Sequence, residues 1–287
     1  MFDLALSVLC SSLIFVIFKL FEVYRIQTLY AIIVNYLVAC LTGVLFYAAP
    51  IPFDGITDSS WFLGTLGLGV LFILVFNIMA KTSQQAGVSV ASVATKMSLV
   101  LPVLFGVFIY GEQLSFFKVF GILMALAAVY FASVKEGSPT FSKATLVLPV
   151  LVFLGSGAID TAIKYFQQGH LSEAEFPLFS ATVFAAAACT GLVFIMFRAV
   201  RQPLKFNGKN ILGGIALGVP NYFSIFFLLR ALQNDRWPSA AIFTLNNVAI
   251  VMCSTLLGIV LFKERMIKSN WIGIVLAVIS IILVALF

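Results

Sequence analysis

The sequence predicts an all-α membrane protein of ten transmembrane helices, arranged as two inverted five-helix repeats. Three observations predict it. Of 287 residues, 62% are hydrophobic and only 10% charged, whereas a soluble domain carries roughly 25% charged residues. No water-soluble surface can be covered from so small a polar fraction. The apolar residues fall into ten runs, each near the length of about 20 residues that crosses a bilayer. The second half of the chain also repeats the first.

The runs, taken in order, are Phe2 to Phe18, Thr28 to Tyr47, Trp61 to Ala80, Val88 to Tyr110 and Phe116 to Ser133, then Leu146 to Lys164, Phe176 to Phe197, Ile211 to Leu229, Ser239 to Leu261 and Asn270 to Leu286. Ten spans use about 200 residues and leave roughly 87 for the termini and nine connections, so no extramembrane domain is expected. Ala-Pro-Ile-Pro-Phe-Asp-Gly at 49–55 is a turn-rich break. The one linker-like stretch, 134–144, falls near the middle. It divides the chain into repeat units 1–133 and 145–287. Trp61, Trp237 and Trp271 all stand at span ends, where an indole prefers the membrane interface. Met-Phe-Asp at the start lacks the basic region of a signal peptide, and Ser7-Val8-Leu9-Cys10 matches a lipoprotein cleavage site poorly. The first span is therefore expected to stay in the membrane.

Several function classes are excluded at this level. The net charge of +6 comes from basic residues scattered at span ends rather than from a dense stripe, so no nucleic-acid partner is expected. Cys10, Cys40, Cys189 and Cys253 each lie inside an apolar span and form no C-x-x-C pair, which speaks against a disulfide framework or a zinc site. His170 is the single histidine. Nothing calls for a metal or another cofactor.

The internal repeat is read from three matched stretches in the same order. Leu9, Ser11, Ile14 and Lys19 match Leu154, Ser156, Ile159 and Lys164 at an offset of 145. Leu63-Gly64 and Leu68-Gly69-Val70 match Leu212-Gly213 and Leu217-Gly218-Val219 at 149, where Lys81 also meets Arg230 and Gln84 meets Gln233. Gly106, Glu112, Gly121, Ile122 and Ala125 match Gly258, Glu264, Gly273, Ile274 and Ala277 at 152, after a short insertion around Asp235 to Trp237. Each unit holds an odd number of spans, so the second enters the membrane from the opposite side. The halves are then related by a pseudo-two-fold axis in the membrane plane, a plan of secondary transporters that bind substrate near the midplane.

These features resemble the EamA-type branch of the drug/metabolite transporter superfamily. The resemblance covers essentially the whole chain. It rests on the five-plus-five plan, on Gly111-Glu112 and Lys263-Glu264 in the tight turns before spans 5 and 10, and on the Gly-Ile-x-x-Ala stretches at 121–125 and 273–277. It implies a carrier of small metabolites with its pocket lined by spans 1–4 and 6–9, and spans 5 and 10 peripheral. The chain is compatible with a homodimer in a bacterial inner membrane.

Orientation is read from basic residues in short connections, which favour the cytoplasm. Connections 1–2, 3–4, 5–6, 7–8 and 9–10 hold 12 Lys and Arg in total, and the other four hold 4. The count places both termini away from the cytoplasm and is driven by Arg198, Arg201, Lys205 and Lys209. The resembling family usually places them inside.

Lys96 is the sharpest functional signal. It lies about eight residues into span 4, where a charge is expensive and usually faces a cavity or a partner; snorkelling from that depth reaches the interface poorly. Thr95-Lys96-Met97 followed by Pro102 also resembles span 4 of plastid phosphate translocators and nucleotide-sugar transporters. That resemblance implies a pocket lysine, without fixing a phosphate substrate. Pro102 and Pro220 each free a carbonyl four residues earlier, at Ser98 and Ala216. Asn77, Asn221, Tyr222, Asn246 and Asn247 are polar groups in mid-span, expected to face the protein interior as pocket lining or as inter-helix hydrogen-bond partners. Asn35 and Tyr36 are weaker candidates. Asp160 stands four residues before Lys164, so a local ion pair near the membrane end competes with a role in proton coupling. Lys19, Lys81, Arg230, Glu112 and Glu264 read as anchors and turn-stabilising charges. The glycines at 64, 67, 69, 214 and 218, with Ala185 to Ala187, read as close helix packing.

The leading functional reading is a secondary transporter of a small polar metabolite working by alternating access, without a nucleotide-binding loop. A non-transporting membrane scaffold and an intramembrane enzyme are the alternatives. The enzyme is disfavoured because no ionisable cluster is expected at one depth: helix rise sets Lys96 and Asp160 roughly 12 Å apart.

Overall fold

The structure, a computed structural model, describes residues 2–46, 56–111, 115–134, 143–169, 175–199, 207–232 and 239–286. These residues form α1 (Phe2–Val23), α2 (Thr28–Leu45), α3 (Phe62–Gln85), α4 (Val88–Met97), α5 (Val100–Tyr110), α6 (Phe116–Ser133), α7 (Lys143–Gly169), α8 (Phe176–Ala199), α9 (Gly208–Leu232), α10 (Ser239–Phe262) and α11 (Lys268–Leu286). They supply ten membrane-crossing segments, with α4 and α5 together making the fourth. The helices are longer than the apolar runs alone suggest: α1 continues past Phe18, and α7 begins at Lys143. Polar residues just beyond an apolar run can continue a helix through the interface, which hydrophobicity does not register.

Span 4 is broken, and its sequence explains where. Pro102 has no N–H to give the Ser98 carbonyl. That carbonyl instead accepts from the Leu101 amide at 2.9 Å, and the next bond, Val103 to Leu99, stretches to 3.4 Å. The Ser98 hydroxyl turns back to the Thr95 carbonyl at 2.5 Å. The interruption follows Lys96 within two residues. Pro220, by contrast, is carried inside an unbroken α9.

The halves interlock rather than sit side by side. Repeat mates meet across the pseudo-two-fold axis, α2 on α8, α4 on α10 and α6 on α11, while α1 packs on α9 and α10 as α7 packs on α3, α4 and α5. In hydrocarbon no hydrophobic effect drives helices together, so close backbone approach carries the packing. A Cβ at Gly214 would lie 2.4 Å from Val34, and one at Gly218 2.8 Å from the Asn35 carbonyl, which brings α9 onto α2. Gly69 lies equally close to Ala186 of α8. Gly67 faces open space, so it is not one of the packing glycines. The α6–α11 pair is closed by Gly121 and Gly273, with Ser280 Oγ donating to the Gly121 carbonyl at 2.7 Å.

The repeat is visible in the backbone as well. Gly111 and Lys263, one position before Glu112 and Glu264, both take the left-handed conformation, at φ 66° and 54°. Glycine adopts it freely and lysine does not. Lys263→Gly is therefore expected to stabilise the protein by about 1 kcal/mol, read as a raised melting temperature in detergent; an unchanged or lowered value would count against strain at this turn.

Two tryptophans behave differently. Trp271 is exposed at the start of α11, as an interfacial indole should be. Trp61 is at a span end but buried, edge-on to Phe179, with Nε1 3.4 Å from Glu175 of the opposite half. Its position was legible in sequence and its partner was not. Trp237, Glu112 and His170 lie outside the described residues.

Candidate functional site

The break in span 4 meets α7 deep in the bundle. Gly157 lets α7 approach α5, since a Cβ there would stand 2.3 Å from Leu101. One turn on, Asp160 Oδ2 accepts from Ser98 Oγ at 3.3 Å, and Lys164 Nζ donates to the Pro102 carbonyl at 3.3 Å. The i, i+4 ion pair expected between Asp160 and Lys164 is thus replaced by two bonds to the broken span.

Asp160 shares a helix face with buried Phe153 and Ser156, opposite the lipid-facing Leu151, Leu154, Ala158 and Tyr165. Yet Asp160 keeps a large accessible surface. Lys96, in the last turn of α4, is also partly accessible. The Ser98–Asp160 contact thus brings Asp160 to within two residues of Lys96 along the broken span. The separation of roughly 12 Å in depth assumed helices that start level and run parallel, and the Ser98–Asp160 bond shows that α4 and α7 do not.

The other polar candidates are placed variously. Asn77 donates to its own helix, to Ile73 O at 2.7 Å. Asn221 donates to Asn35 Oδ1 at 3.2 Å, a buried bond between α9 and α2. Tyr36 donates to Phe72 O at 2.9 Å and stacks on Phe184. Tyr222 belongs to an aromatic cluster with Phe46, Phe223 and Phe226. Asn247 is half-buried on α10. Asn246, on the same helix, is buried with its Oδ1 unpartnered, and so is the hydroxyl of Ser156, one turn before Asp160. Sequence reasoning singled out neither Ser98 nor Ser156 as a side chain. The one signal for Ser156 was that it matches Ser11 in the repeat.

Glu264 does more than hold its own turn. Its carboxylate caps α4, accepting from the Val88 amide at 2.7 Å and Ser89 Oγ at 3.0 Å. The second half thereby fixes the start of the helix whose last turn carries Lys96.

Ten membrane-crossing helices in two five-helix repeats define an integral, multi-pass membrane protein. The model of the EamA-like transporter family matches residues 2–134 and again 145–286, and the chain belongs to that family, whose members are transporters. It is similar to an uncharacterised protein of Haemophilus influenzae, 29% identical over 289 residues, covering 98% of this chain and 96% of that one. A solved crystal structure of another protein shares the fold, with a TM-score of 0.59 and 18% identity over 96% of this chain and 95% of its own.

Proposed function

We propose that the protein is a secondary transporter that carries a small polar metabolite across a bacterial inner membrane by alternating access, through a pocket between the repeats at Lys96 and Asp160. The observation that carries this reading is Lys96: among the described residues its ammonium makes no hydrogen bond or ion pair. A charge at this depth is retained where it serves a ligand, a pathway or a relay. A carboxylate or phosphate is the partner an ammonium recognises. Asn246 and Ser156 supply further unpaired polar atoms on α10 and α7, both of which pack against α4. Asn77, Asn221, Tyr222 and Asn247 remain lining residues of the same proposal, with Asn77 and Asn221 the least available because their amides are already bonded. Asp160 is the proposed coupling group. The basic connections favour a cytoplasmic face at the α1–α2, α3–α4 and α10–α11 turns.

Counterflow in proteoliposomes tests the reading, with labelled carboxylates and organic phosphates as probes. One or more should exchange at a rate well above empty liposomes. An imposed pH gradient should drive net uptake by the parent protein but not by Asp160→Asn, which should still exchange. If Asp160→Asn keeps pH-driven uptake, its coupling role falls.

A further inference from the structure

We propose that Lys19 and Gln84 form the gate that closes one half of the pathway, at the membrane face carrying the α1–α2, α3–α4 and α10–α11 turns. The proposal rests on the alternating-access reading above.

Three helix ends are stitched together at this face. Lys19, in the last turns of α1, donates to the backbone carbonyl of Gln84 at the end of α3 and to Glu22 at 2.9 Å. The Gln84 amide returns to the Phe18 carbonyl of α1 at 3.0 Å and reaches Thr28 Oγ1 of α2 at 3.1 Å. Ser83 Oγ adds a bond to the Phe15 carbonyl at 2.8 Å. Polar bonds between membrane helices are individually weak. A seam made of several therefore holds a closed face while leaving it able to open.

Among the described residues the second copy shows different contacts, and Gln233, the counterpart of Gln84, lies outside them. Lys164 occupies the place of Lys19, but it donates to the Pro102 carbonyl of α5, toward the other half. Arg230, the counterpart of Lys81, lies 3.7 Å from Asp3 of α1. Among the described residues α1 packs against α3, whereas α7 makes no comparable packing against α9. One copy thus has its first helix drawn onto its third and the other does not. That difference is what two inverted repeats exchange when access alternates.

A cavity of about 260 Å³ borders this seam at Lys19, and is lined also by Gln85, Ser89, Glu264, Arg265 and Asn270 among others. It is separate from the Lys96–Asp160 site. Under the proposal it is the vestibule on the closed side, cut off from the central site by the Lys19–Gln84 seam.

Thiol labelling from each side of oriented vesicles tests this without a known substrate. The reporter is Thr95→Cys, beside Lys96, in a protein whose four native cysteines are alanine. With the gate intact, a membrane-impermeant maleimide should reach it mainly from the opposite face. Lys19→Met and, separately, Gln84→Leu should each raise the rate from the gate face about tenfold, and Lys19→Arg should restore the parent pattern. Two variants guard against one failing to fold, and retained labelling from the opposite face reports the fold of each. If the gate-face rate stays within about twofold of the parent in both, the gate is overturned. Stabilisation by organic anions judges the transport reading separately: if anions bind while labelling is unmoved, the gate alone fails. If labelling shifts while no solute binds or exchanges, the gate stands as a conformational switch and the transport reading fails.

Discussion

Glu264→Ala is expected to destabilise the folded protein by about 2–3 kcal/mol, read as loss of thermal stability in detergent. The carboxylate is the cap of α4, and it comes from the other half of the chain. Its removal strips acceptors from the Val88 amide and the Ser89 hydroxyl, both buried. It also removes the favourable charge at a helix N-terminus. The geometry is demanding: Gly87, at φ 115°, would place a Cβ 3.0 Å from the Glu264 carboxylate, and Gly258 one at 2.6 Å. Glu264→Gln keeps an acceptor and should lose about half as much. Equal losses for Ala and Gln would assign the effect to charge alone, and no loss for Ala would remove the cap from the account.

Lys96→Met should move stability the other way. An ammonium with no hydrogen bond or close ion pair among the described residues is costly at mid-depth, on the order of 2.5–3.5 kcal/mol at a helix centre facing lipid. The partial exposure of Lys96 reduces that, so a gain of about 1–2 kcal/mol is expected for the protein without ligand. Methionine fills the volume of the lysine stem without the charge. The same substitution should abolish stabilisation by anionic ligands. A more stable protein that no longer binds is the signature of a charge kept for function. A large loss of stability would instead make Lys96 a structural partner of Asp160.

The helices and their inverted pairing were legible because composition and repeat offsets are properties of the chain itself. Leu63-Gly64 and Leu212-Gly213, or Glu112 and Glu264, could be matched without any structure. Lys96 was legible because a charge inside an apolar run stands out. The site around it was less so. Whether Asp160 pairs with Lys164 or turns to Ser98 depends on the tilt of α7 against a helix broken by Pro102, and periodicity carries no tilt. Asn77 and Asn221 looked like Asn246 in sequence. Only packing decides that the first bonds its own helix, the second bonds Asn35, and the third keeps an unpaired oxygen. Glu264 read as a local turn charge because its partner, the start of α4, lies about 175 residues away.

The central claim is that Lys96 binds the transported solute. The most direct test records ligand-induced shifts in melting temperature across a metabolite panel, for the parent protein and Lys96→Ala together, since a ligand that binds only the folded state must raise its apparent stability. Organic anions are expected to raise the parent's melting temperature and leave Lys96→Ala unmoved. If neutral or cationic solutes stabilise both proteins equally and anions stabilise neither, Lys96 is structural and the claim is contradicted.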